Sequence, residues 1–283
     1  MKRKIKISIP HPCPEKRGDP KNGTGRIWFH RNPERKEAGT IKLRSFIFLI
    51  LVIGLCFVLF TVFFDQAVLV RHGTLYRKDV KEKVVALTFD DGPSPQWTPL
   101  ILDELKRSGV RATFFMLGEH VKEYPDIARR VAQEGHDIGN HTYSHHVLIY
   151  YKMDELAREI KDAEKVIREV TGKTTALFRP PKAWLTNPEK QKIRELGYQV
   201  VLWSLNSKDW VTFDDKYIVK YLLHHIRPGE IILFHDSGGV FSVEGGDRRE
   251  TVLAVRRLIE RLKERGYRFV TVTELINLRM LNE

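Results

Sequence analysis

The chain is 283 residues long, 42% hydrophobic and 30% charged, the composition of a globular protein that can bury one large core and still carry an appendage. Its formal net charge of +12 would suit a nucleic-acid partner, but residues 1–44 hold 13 Lys/Arg against 4 Asp/Glu, which leaves only +3 on the other 239 residues. The globular part is therefore nearly balanced, and no nucleic acid is expected as a partner.

Cys13 and Cys56 are the only cysteines. The chain beyond residue 64 thus has no disulfide framework, no thiolate nucleophile and no cysteine-based zinc site, so a metal there would need His and carboxylate ligands. Residues 1–44 interleave basic side chains with Pro10, Pro12, Pro14, Pro20 and Pro33 and lack sustained apolar periodicity, the pattern of a flexible tail. Twenty uncharged residues follow, Ser45 to Phe64, enough as a helix to cross a hydrocarbon layer of about 30 Å. We read this run as a single transmembrane helix in contact with membrane lipid. The Lys/Arg-rich flank marks the cytoplasmic side, so the chain from Asp65 onward is expected outside the cytoplasm. A cleaved secretory signal is the competing reading. Against it stand an apolar run longer than the usual h-region of about 7–15 residues and the poor cleavage sequence Asp65-Gln66-Ala67. Residues 65–80 read as a connector and 81–283 as the globular domain.

In that domain short apolar runs alternate with longer periodic ones, the signature of strands alternating with helices around a parallel sheet. Seven runs are strand-like: Val84–Phe89, Ala112–Met116, Asp137–Asn140, Ala176–Arg179, Gln199–Ser204, Glu230–His235 and Arg268–Val272. Helical patterns run from Thr98 to Ser108, Pro125 to Glu134, Met153 to Val170, Pro188 to Leu196 and Thr251 to Arg265, several with Pro in the first turn and Gly just past the end. Such units build either an open doubly wound sheet or a barrel. Asp90, Asp91, His141, Arg179, Asp209 and His235 all fall at or just after strand C-termini, where barrel active sites are built. The expected fold is α/β, a distorted or incomplete (β/α) barrel of about seven parallel strands.

Two segments could carry chemistry. In Thr88-Phe89-Asp90-Asp91-Gly92-Pro93 a buried-looking strand runs into adjacent carboxylates, which a cation can neutralise, leaving one as a ligand and the other as a base. The segment's last four residues, Asp90-Asp91-Gly92-Pro93, are also ordinary turn chemistry. In His141-Thr142-Tyr143-Ser144-His145 two histidines four apart can converge on one metal, and with Asp91 they supply three ligands and an open position. Thr142 stands where a zincin would place its glutamate, so the base has to come from elsewhere, with Asp90 the candidate. His120 and His146 read as bystanders, Trp203 as packing, and Trp184 as packing or a sugar contact. The run from Arg256 to Arg265 reads as a solvated face because Glu260 and Glu264 interleave its cations.

Taken in order, the Asp-Asp turn, the His-x-x-x-His segment, Phe178-Arg179-Pro180-Pro181, Asp209-Trp210 and Leu233-Phe234-His235-Asp236 resemble the polysaccharide deacetylase family with the NodB homology domain, over about Val84 to Ile276. The resemblance implies a deformed barrel and a metal-dependent N-deacetylase acting on a cell-envelope polysaccharide, peptidoglycan or another N-acetylglucosamine-containing glycan. It implies one divalent metal ion, zinc favoured, on Asp91, His141 and His145. Asp90 would take a proton from the attacking water, and His235 would protonate the leaving amine. Asp209 would orient and tune His235, and Arg179 would do the same for Asp90. Pro181 and Lys182 would lie on the substrate side, with a backbone N–H near Lys182 at the oxyanion, while Trp210 and Leu233 would wall the acetate pocket. The chain departs from the family pattern at Lys182 and Ala183, where an aromatic or Arg followed by Gly is usual, and at Asn206, where Asp is usual. Two other functions stay open: a catalytically silent glycan-binding protein, which the intact motif residues oppose, and a deacylase for O-acetyl or other amide groups.

Overall fold

The computed structural model of the protein describes residues 43–56, 59, 67–212, 214–238 and 246–279. The expected tail lies outside them except for residues 43 and 44. Two compact units are distinguished, residues 1–56 and 57–283. In the first, residues 43–56 form a helix (α1) whose side chains are exposed. It covers the early part of the expected span 45–64; residues 57, 58 and 60–64 of that span lie outside the described residues. Among the described residues no helix is long and apolar enough to cross a membrane.

The second unit alternates strands and helices as expected. Val84–Asp90 (β1) is buried along its whole length, as a central parallel strand covered on both faces must be. Its side chains alternate between two cores. Val85, Leu87 and Phe89 pack outward against Ile101 and Leu105 of Trp97–Arg107 (α3) and Leu258 of Arg249–Glu264 (α9), whereas Val84 and Ala86 point inward with Phe115, Phe178, Ile231 and Leu233. Continuing that alternation puts Thr88 and Asp90 on the interior face, at its polar upper end.

Around β1 lie Thr113–Met116 (β2), Asp137–Asn140 (β3), Leu177–Phe178 (β4), Gln199–Val200 (β5), Leu205–Asn206 (β6) and Glu230–His235 (β7) in the order β5-β4-β3-β2-β1-β7-β6. Every pairing between these strands is parallel. Arg268–Phe269 (β8) also pairs with β1. One edge of β1 is taken by β7 from Val85 to Asp90, so β2 and β8 divide the other edge, β2 at the top and β8 at the bottom. The result is the expected incomplete barrel, a parallel half-barrel with seven strands along its path.

The run Gln199–Ser204 does not form one strand. It leaves the sheet after Val200 and rejoins it at β6, which sequence periodicity did not separate. The gap is filled from residues 75–78, expected only to connect. Leu75 N–H donates to Val200 O at 2.9 Å and Leu202 N–H to Leu75 O at 2.7 Å, while Lys78 N–H donates to Gly229 O at 2.9 Å. The run expected to reach Val272 stops at Phe269 because Thr271 caps Val272–Asn277 (α10), its Oγ1 accepting from Glu274 N–H at 3.2 Å while the Glu274 carboxylate accepts from Thr271 N–H at 2.9 Å.

The helices Pro125–Gln133 (α5), Met153–Thr171 (α6) and Asn187–Glu195 (α7) fall where the Pro and Gly signals put them. Gly118–Glu123 (α4) and Asp215–His225 (α8) were not expected; the first is too short to show a period, and the second starts at the Asp214 cap, whose side chain accepts from Lys216 N–H. Ala67–Val70 (α2) precedes the seam. The charged side chains of Arg256–Arg265 face solvent, with Arg256 paired to Glu104, Arg257 to Asp215 and Arg261 to Glu264.

Gly229 has φ +79°, and a Cβ there would lie 1.7 Å from Lys78 O; Gly266 has the same φ and nothing within 4 Å. Gly266→Ala should therefore cost only the left-handed conformation, about 1 kcal/mol, and Gly229→Ala about 3 kcal/mol or more because the seam must move. Urea unfolding of the two variants checks the difference.

Candidate active site

Asp90 ends β1 and stands in register with His235, the last residue of β7. The next residue, Asp91, turns into the left-handed region at φ 76°. Past the end of β3 the chain curls through Thr142 at φ 76° and His145 at φ 61°, and the His141 and His145 rings come to 5.1 Å between centroids. The Asp91 carboxylate then sits 3.3 Å from His141 Nε2 and 3.2 Å from His145 Nε2. Bonds of about 2.0–2.1 Å in a tetrahedral zinc site separate neighbouring ligand atoms by about 3.3 Å. One carboxylate oxygen and two imidazole nitrogens at that spacing fit such an ion, and Asp91, His141 and His145 form a possible metal site.

The surroundings fix these ligands. His141 Nδ1 lies 2.7 Å from Arg179 O, an acceptor only, so Nδ1 donates there and Nε2 is the nitrogen turned toward Asp91. Glu159 of α6 takes Tyr143 N–H at 3.1 Å and Ser144 N–H at 3.0 Å, pinning the histidine loop. Burial alone would raise the Asp91 carboxyl; the His145 charge and the hydrogen bonds from His141 and His145 outweigh it and hold the group well below the usual carboxylate range.

Asp90 is 3% exposed. One oxygen accepts from Arg179 at 2.7 Å, and the other lies 4.0 Å from His141 Nε2, beside the triad. Arg179, entirely buried, also donates to Thr88 Oγ1, Val201 O and Leu202 O. Burial pulls its guanidinium down from the ordinary value, with Asp90 opposing. At the neighbouring strand end His235 Nδ1 meets Asp209 Oδ1 at 2.8 Å, and His235 N–H donates to Asp209 Oδ2 at 2.9 Å. Burial would lower the His235 imidazole, but the Asp209 charge and hydrogen bond raise it above its ordinary value. Asp209 itself is pushed down to about 2: burial works upward and the His235 and Arg248 charges more than cancel it.

Of the remaining expected residues, buried Leu233 lies two below His235 on the same interior face, and Trp210, half-buried, follows Asp209. Pro181 and exposed Lys182 form a single 3₁₀ turn with Ala183, just beyond Arg179. Lys182 and Ala183 have φ 54° and 56°, a conformation that favours glycine, so the departure at Ala183 places a β-carbon where the backbone is left-handed. At Asn206 the side-chain oxygen accepts Lys208 N–H at 2.9 Å. That contact needs only an oxygen, which the amide supplies as well as a carboxylate.

Several residues escaped sequence reasoning. Thr251 Oγ1 donates to Asp209 Oδ2 at 2.9 Å, and buried Arg248 donates to Ser237 O, Gly238 O and Asp209 O, tying the β6 and β7 loops together. Both sit in a charged stretch with no distinguishing pattern. Thr88 did leave a signal, a lone hydroxyl in an apolar strand. His120, read as a bystander, is buried with Nδ1 2.7 Å from Asp91 O.

A half-barrel with an Asp-His-His triad flanked by Arg–Asp and His–Asp pairs at its strand C-termini defines a hydrolase-type site. The family profile described as polysaccharide deacetylase matches residues 77–201. A peptidoglycan-N-acetylglucosamine deacetylase of Bacillus cereus is 40% identical over 197 residues, 69% of this chain and 89% of the relative. The peptidoglycan-N-acetylmuramic acid deacetylase PdaC of Bacillus subtilis is 34% identical over 70% of this chain and 39% of its own. The crystal structure of the Bc1960 peptidoglycan N-acetylglucosamine deacetylase superposes with a TM-score of 0.68 at 36% identity, covering 72% of this chain and 92% of that one. The chain belongs to the polysaccharide deacetylase family, and it is a polysaccharide N-deacetylase.

Replacing Asp209 by Asn removes the main charge that opposes burial at His235. The Asp209→Asn variant should titrate His235 at lower pH than the wild type, as read from imidazole proton shifts by NMR.

Proposed function

We propose that the chain removes N-acetyl groups from N-acetylglucosamine units of peptidoglycan, releasing acetate, with a zinc ion on Asp91, His141 and His145. The observation that carries this reading is the 3.2–3.3 Å spacing of that triad beside an Arg179-held carboxylate and an Asp209-held imidazole. Relatives that act on peptidoglycan sugars support the substrate class.

Held by Asp91, His141 and His145, such an ion would supply Lewis acidity toward a water and the acetamide carbonyl. The Asp90 oxygen not engaged by Arg179 accepts the proton of the attacking water, and Arg179 keeps that oxygen aimed by holding its twin. A backbone N–H near Lys182 stabilises the negative charge that develops on the carbonyl oxygen. His235, kept a proton donor by Asp209, gives its proton to the amine nitrogen as the C–N bond breaks. Pro181, Trp210 and Leu233 shape the pocket for the acetyl group. The uncharged run Ser45–Phe64 and its basic flank support a further reading: a membrane anchor with the catalytic domain outside the cytoplasm.

The purified full-length chain is expected to release acetate from peptidoglycan strands, to lose that activity to a chelator and to regain it with zinc. Asp91→Ala should lose both metal and activity, whereas Asp90→Asn should keep the metal and lose roughly 10²–10⁴-fold in rate. The alkaline limb of the Asp209→Asn pH–rate profile should move to lower pH, following the lowered His235. Metal bound but no acetate from any peptidoglycan would point to another acyl substrate, and no metal at all to a silent binder. Mass spectrometry of the product sugars distinguishes glucosamine from muramic acid deacetylation.

A further inference from the structure

The two loops that carry the triad come from different strands, and the six-residue helix α4 holds both. Leu117 N–H donates to Gly92 O at 2.9 Å, Gly118 N–H to Thr142 O at 3.0 Å and Glu119 N–H to Tyr143 O at 3.0 Å. These N–H groups belong to the first turn and the residue before it, which have no partner inside the helix. Beside them the His120 side chain, 3% exposed, brings Nδ1 to 2.7 Å from Asp91 O. A carbonyl only accepts, so Nδ1 is the donor. Asp91 is the residue at φ 76°, a backbone conformation that is unfavourable for a residue with a β-carbon and needs support from its surroundings. Gly118 lacks room for any side chain: a Cβ there would lie 2.6 Å from the Tyr143 ring and 2.8 Å from the Ala163 backbone. The helix is thus wedged between the aspartate turn and the histidine loop.

We propose that His120 is a positioning residue for the metal centre, its Nδ1–H holding the Asp91 backbone so that the carboxylate meets His141 and His145 at ligand spacing. The inference rests on the reading of Asp91, His141 and His145 as ligands.

Asparagine places an amide nitrogen where imidazole Nδ1 lies; glutamine places its own near Nε2, and leucine has none. Zinc dissociation constants of the full-length chain, measured by competition with a chromogenic chelator and without glycan, should therefore separate the variants. His120→Asn should stay within about threefold of the wild type, while His120→Gln and His120→Leu should weaken binding about tenfold to hundredfold. Circular dichroism of the metal-free chains reports folding, and one folded variant of the Gln and Leu pair suffices. Wild-type affinity in a folded Gln or Leu variant, or equal loss in Asn and Gln, overturns the proposal. Tight zinc binding by a wild type that releases no acetate would strike the proposed activity and leave this inference standing.

Discussion

The guanidinium of Arg179 is the interaction on which the rest of this structure depends. It is buried among apolar side chains, 4.0 Å from the Phe115 ring centre and 5.7 Å from that of Trp203, where an unpaired cation would be prohibitively costly. Its four partners come from two places: Thr88 and Asp90 on β1, and the carbonyls of Val201 and Leu202 in the gap between β5 and β6. Those carbonyls point at the arginine because no neighbouring strand claims them. The interruption of the barrel and the accommodation of a buried cation are one solution. The backbone N–H of the same residue donates to Asn140 O and its carbonyl accepts from His141 Nδ1, so one position braces the Asp90 carboxylate and orients a triad histidine.

Around that cation the mouth handles an excess of buried carboxylates by giving each a different counterpart. Asp90 has Arg179, Asp91 has two imidazoles and Asp209 has His235 with Arg248 nearby. Asp236 has none of these. Burial, with Asp91 and Asp90 adding, raises it to about 7, and its Oδ2 accepts from Thr98 Oγ1 at 2.6 Å against the Gly92 backbone. A Cβ at Gly92 would fall 2.2 Å from that oxygen, which gives the glycine of the Asp-Asp-Gly-Pro turn a steric reason.

How much of this is readable in the residues follows from the distance over which each feature is encoded. Alternation along Val84–Asp90 and Glu230–His235 is local, so those strands and the polar ends of their inner faces emerge from pattern alone. The triad and its two supporting pairs emerge from the order of five short motifs, each anchored at a strand end. What stays hidden is set by tertiary contact. Leu75–Lys78 has no strand signature yet completes the wall, and Gln199–Ser204 looks continuous yet breaks around an arginine. His120 looks like any histidine in a polar segment until α4 is seen wedged under Asp91. Arg248 and Thr251 sit in a charged run whose pattern says only that a helix begins nearby. The charged run Arg256–Arg265, by contrast, is correctly read as a solvated face because the 3.6-residue period that turns Leu258, Ile259 and Leu262 inward and the charges outward is itself local.

Residues 75–78 give the domain a mechanical property. The chain enters the barrel as a stave of its wall and not as a loose leash, since Leu75 exchanges hydrogen bonds with Val200 and Leu202 and Lys78 reaches Gly229. Tension from upstream would meet the bonds of Lys190 to Val70 O and His72 O and of Arg71 to Trp203 O before it reached those of Leu75 and Lys78. The bond from Leu202 also lies back to back with the carbonyl that Arg179 holds, so a pull strong enough to strip the stave would reach the buried cation next.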